Sequence, residues 1–126
     1  TMESPWMKTF LVLDPAEYLK RVKAPVLALN GLLDTQVVAD QNLPPIRAAV
    51  GASGAPLTVR EYPGMNHLFQ KAATGGVQEY AAIETTIEPE VLRDIATWIR
   101  QVTGVKTPWT PPGPVATPAP ASPAPR

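Results

Sequence analysis

Asp34 and His67 are the residues whose types and spacing suit chemistry. Asp34 stands in Pro25-Val-Leu-Ala-Leu-Asn-Gly-Leu-Leu-Asp34, and His67 in Tyr62-Pro-Gly-Met-Asn-His67-Leu-Phe. Each lies just beyond a strand-like run, and a helical pattern separates the two runs. In an open parallel sheet that order puts both at the carboxyl edge of adjacent strands, where α/β enzymes keep their chemistry. An imidazole takes up a proton near neutral pH. A carboxylate beside it fixes its tautomer and stabilises the imidazolium. The two therefore read as acid and base of a catalytic triad, and the nucleophile expected before them is not found in the chain. Each alone has an ordinary explanation. A single histidine after Pro-Gly is commonly a surface or capping residue, and an aspartate just after Asn-Gly a turn or N-cap residue. Their occurrence in matching loops, acid before base, argues against both.

The elements that must position them are readable from pattern. Asp14-Pro15 resembles a helix start, with Asp as N-cap and Pro in the first turn. Tyr18, Leu19 and Val22 follow at helical spacing, ending near Lys23. Val26 to Leu29 is a short continuous apolar run, expected for a strand covered on both faces, and Asn30-Gly31 stops it. Leu43, Ile46 and Val50 mark a helix that begins or bends at Pro44-Pro45 and is closed by Gly51 and Gly54. Leu57 to Tyr62 reads as a second strand before Pro63-Gly64. Phe69 to Ala82, broken by Gly75-Gly76, reads as short turns or a broken helix. Pro89 opens a last helix, whose apolar face is Val91, Leu92, Ile95, Trp98, Ile99 and Val102 and whose end is Gly104. Trp98 and Ile99 are expected in the core, and Trp6 and Met7 in core or lid packing, with the lining of a substrate cleft in the whole enzyme as the alternative.

Helix, strand, helix, strand, helix implies an α/β fold with parallel pairing and a right-handed crossover. Two parallel strands make a poor sheet alone, and an apolar strand normally has neighbours on both sides. The chain has 126 residues and opens on Thr1, entering structured-looking sequence almost at once. The expectation is therefore a partial domain over residues 1–104, its beginning cut from something longer. Residues 105–126 hold eight of the sixteen prolines and form a Pro/Ala-rich tail, expected to be disordered or partly polyproline II. No well-placed basic residue makes that tail an SH3 ligand.

Eleven basic and eleven acidic side chains leave no net charge, and no basic stripe points to a nucleic-acid partner. No apolar run approaches the roughly 20 residues that span a bilayer, and no signal peptide is visible. With no cysteine there is neither a disulfide nor a thiol nucleophile, and the compartment stays open. One histidine with scattered carboxylates is too few ligands for a catalytic zinc site. Gly75-Gly76 does not follow a strand as a phosphate-binding loop should. Gly51-Ala52-Ser53-Gly54-Ala55 imitates a nucleophile elbow, but an elbow has a strand before it and a helix after. Here the order is reversed. Ser4 and Ser122 lie in end segments.

Three stretches together resemble α/β-hydrolases. Pro25 to Val37, with Asn-Gly-x-x-Asp34-x-Gln, is similar to their acid loop. Glu61-Tyr-Pro-Gly-Met-Asn-His67-Leu-Phe-Gln70 is similar to their histidine loop. Glu79-Tyr80 and the run from Ile87 to Trp98 are similar to their final stretch and helix. The resemblance covers about Ser4 to Gly104 and is nearest to the dienelactone-hydrolase-like and acyl-CoA-thioester-hydrolase-like groups. It implies the C-terminal portion of an α/β-hydrolase parallel sheet, the last two strands with flanking helices. It also implies the chain order nucleophile, acid, histidine, with Asp34 as the acid, His67 as the base, and Asn66 and Leu68 only shaping the loop. The nucleophile elbow and oxyanion loop would belong upstream. The implied partners are a small-molecule ester or thioester in the complete enzyme and the missing N-terminal part of the same hydrolase; no cofactor is implied. A prolyl-oligopeptidase-like peptidase shares this layout and stays open, as does a non-catalytic fragment or interaction module.

Overall fold

Asp14 and Pro15 start a helix for the reason their chemistry suggests. The Asp14 carboxylate accepts the Ala16 N–H at 2.9 Å, and Pro15 sits in the first turn, where a missing N–H leaves no acceptor unpaired. The structure, a computed structural model, describes residues 4–106. Their elements run in the order α1 (Pro5–Val12), α2 (Pro15–Leu19), β1 (Val26–Gly31), α3 (Ala39–Ser53), β2 (Leu57–Tyr62), a 3-10 helix (Val77–Ala82) and α4 (Pro89–Thr103). The proline-rich tail beyond Lys106, with Ser122, lies outside the described residues.

β1 and β2 pair in parallel, from Val26 opposite Leu57 to Gly31 opposite Tyr62, so the two strands end level. α3 is the crossover between them. Its Leu43, Ala49 and Val50 are buried, and it packs on both strands and on α2. Strand alternation gives α4 the opposite face. There Tyr62, Met65 and Val91 form a buried cluster, with Leu29, Phe69 and Ile95 packed against it. The Trp98 indole N–H donates to Thr58 Oγ1 at 3.2 Å. The Tyr62 hydroxyl donates to Asp94 Oδ2 at 2.9 Å. Burial, and then this bond to Asp94, push the Tyr62 phenol up to about 12, so it stays a neutral donor near neutral pH. Among the described residues, no helix is long and apolar enough to cross a membrane.

Several expectations need correction. α1 was not anticipated as a separate helix. In it Trp6 is 68% exposed and stacks on Phe10 at 5.5 Å instead of entering the core. α2 ends at Leu19, short of Lys23. β1 continues through Asn30 to Gly31, because the Asn30 side chain bonds the Gly31 and Val37 carbonyls (3.0 and 3.1 Å) and holds the turn that follows. Residues Val26 to Leu29 are half-buried rather than covered on both faces, since among the described residues β1 has one strand neighbour. α3 begins at Ala39, ahead of the prolines. The Gln41 and Asn42 N–H groups both reach the Val38 carbonyl at 3.1 Å and close its first turn. Pro44 and Pro45 lie inside the helix, and their missing donors leave the carbonyls of Asp40 and Gln41, both exposed residues, to water. Gly51 lies inside α3, and Gly54 alone caps it, in the left-handed conformation. On α4, Ile99 is 46% exposed and Trp98 half-buried, because a sheet of two strands is narrower than the helix's apolar face.

Candidate active site

The two loops carrying Asp34 and His67 leave the sheet side by side at the carboxyl ends of β1 and β2. Backbone bonds lace them together: the Leu32 N–H donates to the Tyr62 carbonyl and the Leu33 N–H to the Met65 carbonyl, both at 2.9 Å. This close crossing needs a glycine. A Cβ on Gly31 would lie 2.3 Å from the Met65 carbonyl oxygen and 2.6 Å from that of Asn66. A second glycine, Gly75, presses on the acid loop from the other side. Its φ is +77°, and a Cβ there would meet the Leu33 carbonyl oxygen at 1.7 Å. Its own carbonyl accepts the Thr35 hydroxyl at 3.2 Å.

Asp34 is buried and its carboxylate is divided between two tasks. Oδ1 accepts the Gln36 and Val37 N–H groups at 2.9 and 2.8 Å, which fixes the loop. Oδ2 faces His67 Nδ1 at 2.9 Å. Burial pushes this carboxyl up, but the Val37 N–H, the His67 ring and the Gln36 N–H together outweigh it and hold the group below its ordinary value of 3.8. An ionised carboxylate can only accept, so the bonded His67 carries a proton on Nδ1, and Nε2 is the acceptor of the neutral ring. The His67 side chain is 39% exposed against 6% for Asp34, so the acid is enclosed and the base half open.

Asp34 thus binds fewer protons folded than unfolded through the acid range. Its contribution to stability is present above the unfolded value of 3.8 and is lost as pH falls through the lower folded value. Urea midpoints measured between about pH 5 and about pH 1 should fall more steeply for the native chain than for Asp34→Asn. Parallel curves would contradict the assignment.

The histidine loop is closed on itself. The Asn66 side chain is fully buried; its Oδ1 accepts the N–H groups of Leu68 and Gln70, both at 3.0 Å. Its Nδ2 donates to Gln70 Oε1 at 2.9 Å. Phe69 completes the turn with φ +56°, a backbone state that costs a side-chain-bearing residue roughly 1–2 kcal/mol. Its ring meets Tyr62 edge-on at 5.9 Å. Beside the loop lies an open, mainly apolar cleft of about 520 Å³, lined by His67, Leu68, Phe69, Gln70, Thr86 and Ile87. A slightly larger one of about 560 Å³, around Lys71, Ala73, Glu79 and Ile83, has neither Asp34 nor His67 in its wall.

The other sequence candidates fall elsewhere. Ser53 is buried at the end of α3; its hydroxyl donates to the Val50 carbonyl at 2.7 Å and accepts the Ala55 N–H at 3.1 Å. It precedes β2, hence lies at the amino edge of the sheet, a strand length of roughly 17–20 Å from the histidine loop. The Ser4 hydroxyl caps α1 through the Met7 N–H at 3.2 Å. Gly75-Gly76 precede the 3-10 helix, and Gly75 braces the acid loop. Among the described residues, no group of three or more His, Asp or Glu side chains is placed to hold a metal ion. Gly31, Gly75 and the Asn66–Gln70 pair were not recognised as parts of the site; Gly31 had read as a turn, Gly75 as a breaker and Asn66 as loop shape.

Comparison with known proteins agrees with this architecture. A model of the dienelactone hydrolase family matches residues 11–101, a span that contains β1, α3, β2, both loops and all but the last two residues of α4. No curated protein and no solved structure matches the chain. A parallel strand pair with flanking helices and a family match over most of the chain lead to one assignment: the chain belongs to the dienelactone hydrolase family and has an α/β-hydrolase fold.

Proposed function

We propose that this chain carries the acid and base of a serine-type hydrolase that cleaves esters or thioesters through an acyl-enzyme. The observation that supports it most is the 2.9 Å contact between Asp34 Oδ2 and His67 Nδ1, held at the carboxyl ends of neighbouring parallel strands with Nε2 turned out as acceptor. Nε2 takes the serine hydroxyl proton as Oγ bonds the substrate carbonyl carbon. It returns that proton to the leaving alcohol or thiol as the C–O or C–S bond breaks. Water then enters by the same route, and its proton passes through His67 to the serine as the acid is released. Asp34 holds the ring and stabilises the imidazolium between steps. The serine belongs to a segment outside the described residues, ahead of the acid and base in the chain order of α/β-hydrolases, and that segment of the same hydrolase is the implied partner.

A second reading has its own support. Ser53 is tied into the end of α3 at the wrong edge of the sheet, so the chain by itself acts as a non-catalytic part. The two readings share one test. A fluorophosphonate probe should leave the 126-residue chain unlabelled, and p-nitrophenyl ester turnover should stay at background. Labelling that maps to Ser53 would overturn both the missing-serine proposal and the non-catalytic reading.

A further inference from the structure

We propose that Asn66 and Gln70 are positioning residues for His67, acting as a buried clamp that aims the imidazole at Asp34. The proposal rests on the acid–base reading above and deepens it. Neither side chain is hydrogen-bonded to the ring. Asn66 and Gln70 stand on either side of the segment 67–69 and are joined three times. The Asn66 N–H donates to the Gln70 carbonyl at 3.0 Å, the Gln70 N–H to Asn66 Oδ1 at 3.0 Å, and Asn66 Nδ2 to Gln70 Oε1 at 2.9 Å. The Leu68 N–H also ends on Asn66 Oδ1 at 3.0 Å. His67 is therefore displayed from a loop whose interior polar groups are all engaged.

The clamp is anchored outside the loop as well. Gln70 Nε2 donates to the Thr85 carbonyl at 2.7 Å, and the Glu88 N–H donates to the Phe69 carbonyl at 2.9 Å. Both tie the loop to the segment leading into α4. On the opposite side the Met65 carbonyl holds the acid loop through the Leu33 N–H at 2.9 Å. The clamp thus gives His67 a fixed origin relative to Asp34, and the left-handed Phe69 is the conformation that lets so short a loop close. A buried polar network in which every member is satisfied specifies one geometry, and removing one member leaves the others unpaired. Asn66 and Gln70 are 0% and 5% exposed, so water cannot readily replace the lost partners.

Nuclear magnetic resonance on the 126-residue chain tests this. Native His67 should show a low-field Nδ1 proton resonance that disappears in Asp34→Asn. Absence of that resonance from the native chain would count against the acid–base reading itself. With the resonance present, Asn66→Ala should keep the dispersed amides of both strands and lose it, the ring nitrogens shifting toward the tautomer mixture of free imidazole. Tyr62→Phe removes a hydrogen bond from the adjacent core and should leave the resonance in place, which separates aim from general loosening. If Asn66→Ala does not fold, Gln70→Met is read instead, since it keeps Asn66 Oδ1 and all the backbone bonds; the same loss is expected. A folded variant of either kind with an unchanged His67 resonance overturns the clamp. Unfolding of both variants also overturns it, because the pair would then govern the whole fold and not the aim of one side chain.

Discussion

Gly31→Ala should destabilise the chain by about 3 kcal/mol, at the upper end of what overpacking costs, and should part the acid from the base. The added methyl would stand 2.3 Å from the Met65 carbonyl oxygen, 2.6 Å from that of Asn66 and 2.8 Å from the Met65 carbonyl carbon. All three are backbone atoms, so no rotamer change relieves the contact. Relief requires β1 and the histidine loop to move apart, which stretches the Leu33 N–H bond to Met65 and the Leu32 N–H bond to Tyr62, both 2.9 Å. Gly51→Ala is the natural control. It lies inside α3, and a Cβ there meets nothing within 4 Å, so it should stabilise by about 0.5–1 kcal/mol through helix propensity. Urea denaturation of the two variants should therefore move in opposite directions. A Gly31→Ala midpoint equal to the native one would show that the loops are not in contact as described.

In a hydrolase assembled with its nucleophile-bearing segment, Asp34→Asn should lower ester turnover by about four orders of magnitude, and His67→Ala should do at least as much. The asparagine effect follows from the division of the carboxylate. The Gln36 and Val37 N–H groups, at 2.9 and 2.8 Å from Oδ1, demand an acceptor and so hold the amide oxygen at that position. The amide nitrogen then takes the place of Oδ2 and points a donor at His67 Nδ1. The ring must answer with a lone pair on Nδ1, which moves its proton to Nε2. An Nε2 that already bears a proton cannot take one from serine. The measurement is kcat/KM with a p-nitrophenyl ester at neutral pH. Turnover within tenfold of native in either variant would remove the pair from the mechanism.

The parts of this molecule that depend on near neighbours in sequence were legible. Asp14-Pro15, Pro63-Gly64 and the αL caps at Gly54 and Gly104 are local chemistry, and apolar periodicity carries the strand–helix–strand–helix order. Asp34 and His67 were legible because each follows a strand directly. What was not legible depends on contacts distant in the chain. Gly31 meets Met65, and Gly75 meets Leu33, and no local pattern distinguishes such a glycine from one in a turn. Asn66 and Gln70 are four residues apart like any loop pair, and only their burial shows that they bond each other. Pro44-Pro45 suggested a helix that begins or bends there, and the beginning fails because the Val38 carbonyl has already closed a first turn ahead of them. Burial on α4 was overestimated at Trp98 and Ile99 because helical periodicity reports which face is apolar and not how wide a sheet lies beneath it.

The level ending of the two strands, Gly31 opposite Tyr62, sets a limit on insertions and deletions. Removing or adding one residue in β1 or β2 displaces one loop against the other by about 3.3 Å. That exceeds the 2.9 Å contact between Asp34 and His67 itself. It also turns every following side chain to the other face of the sheet. Length changes between Val26 and Asp34, or between Leu57 and His67, are therefore closed to this fold as long as the pair is needed. The linker after Ser53 meets no such restriction.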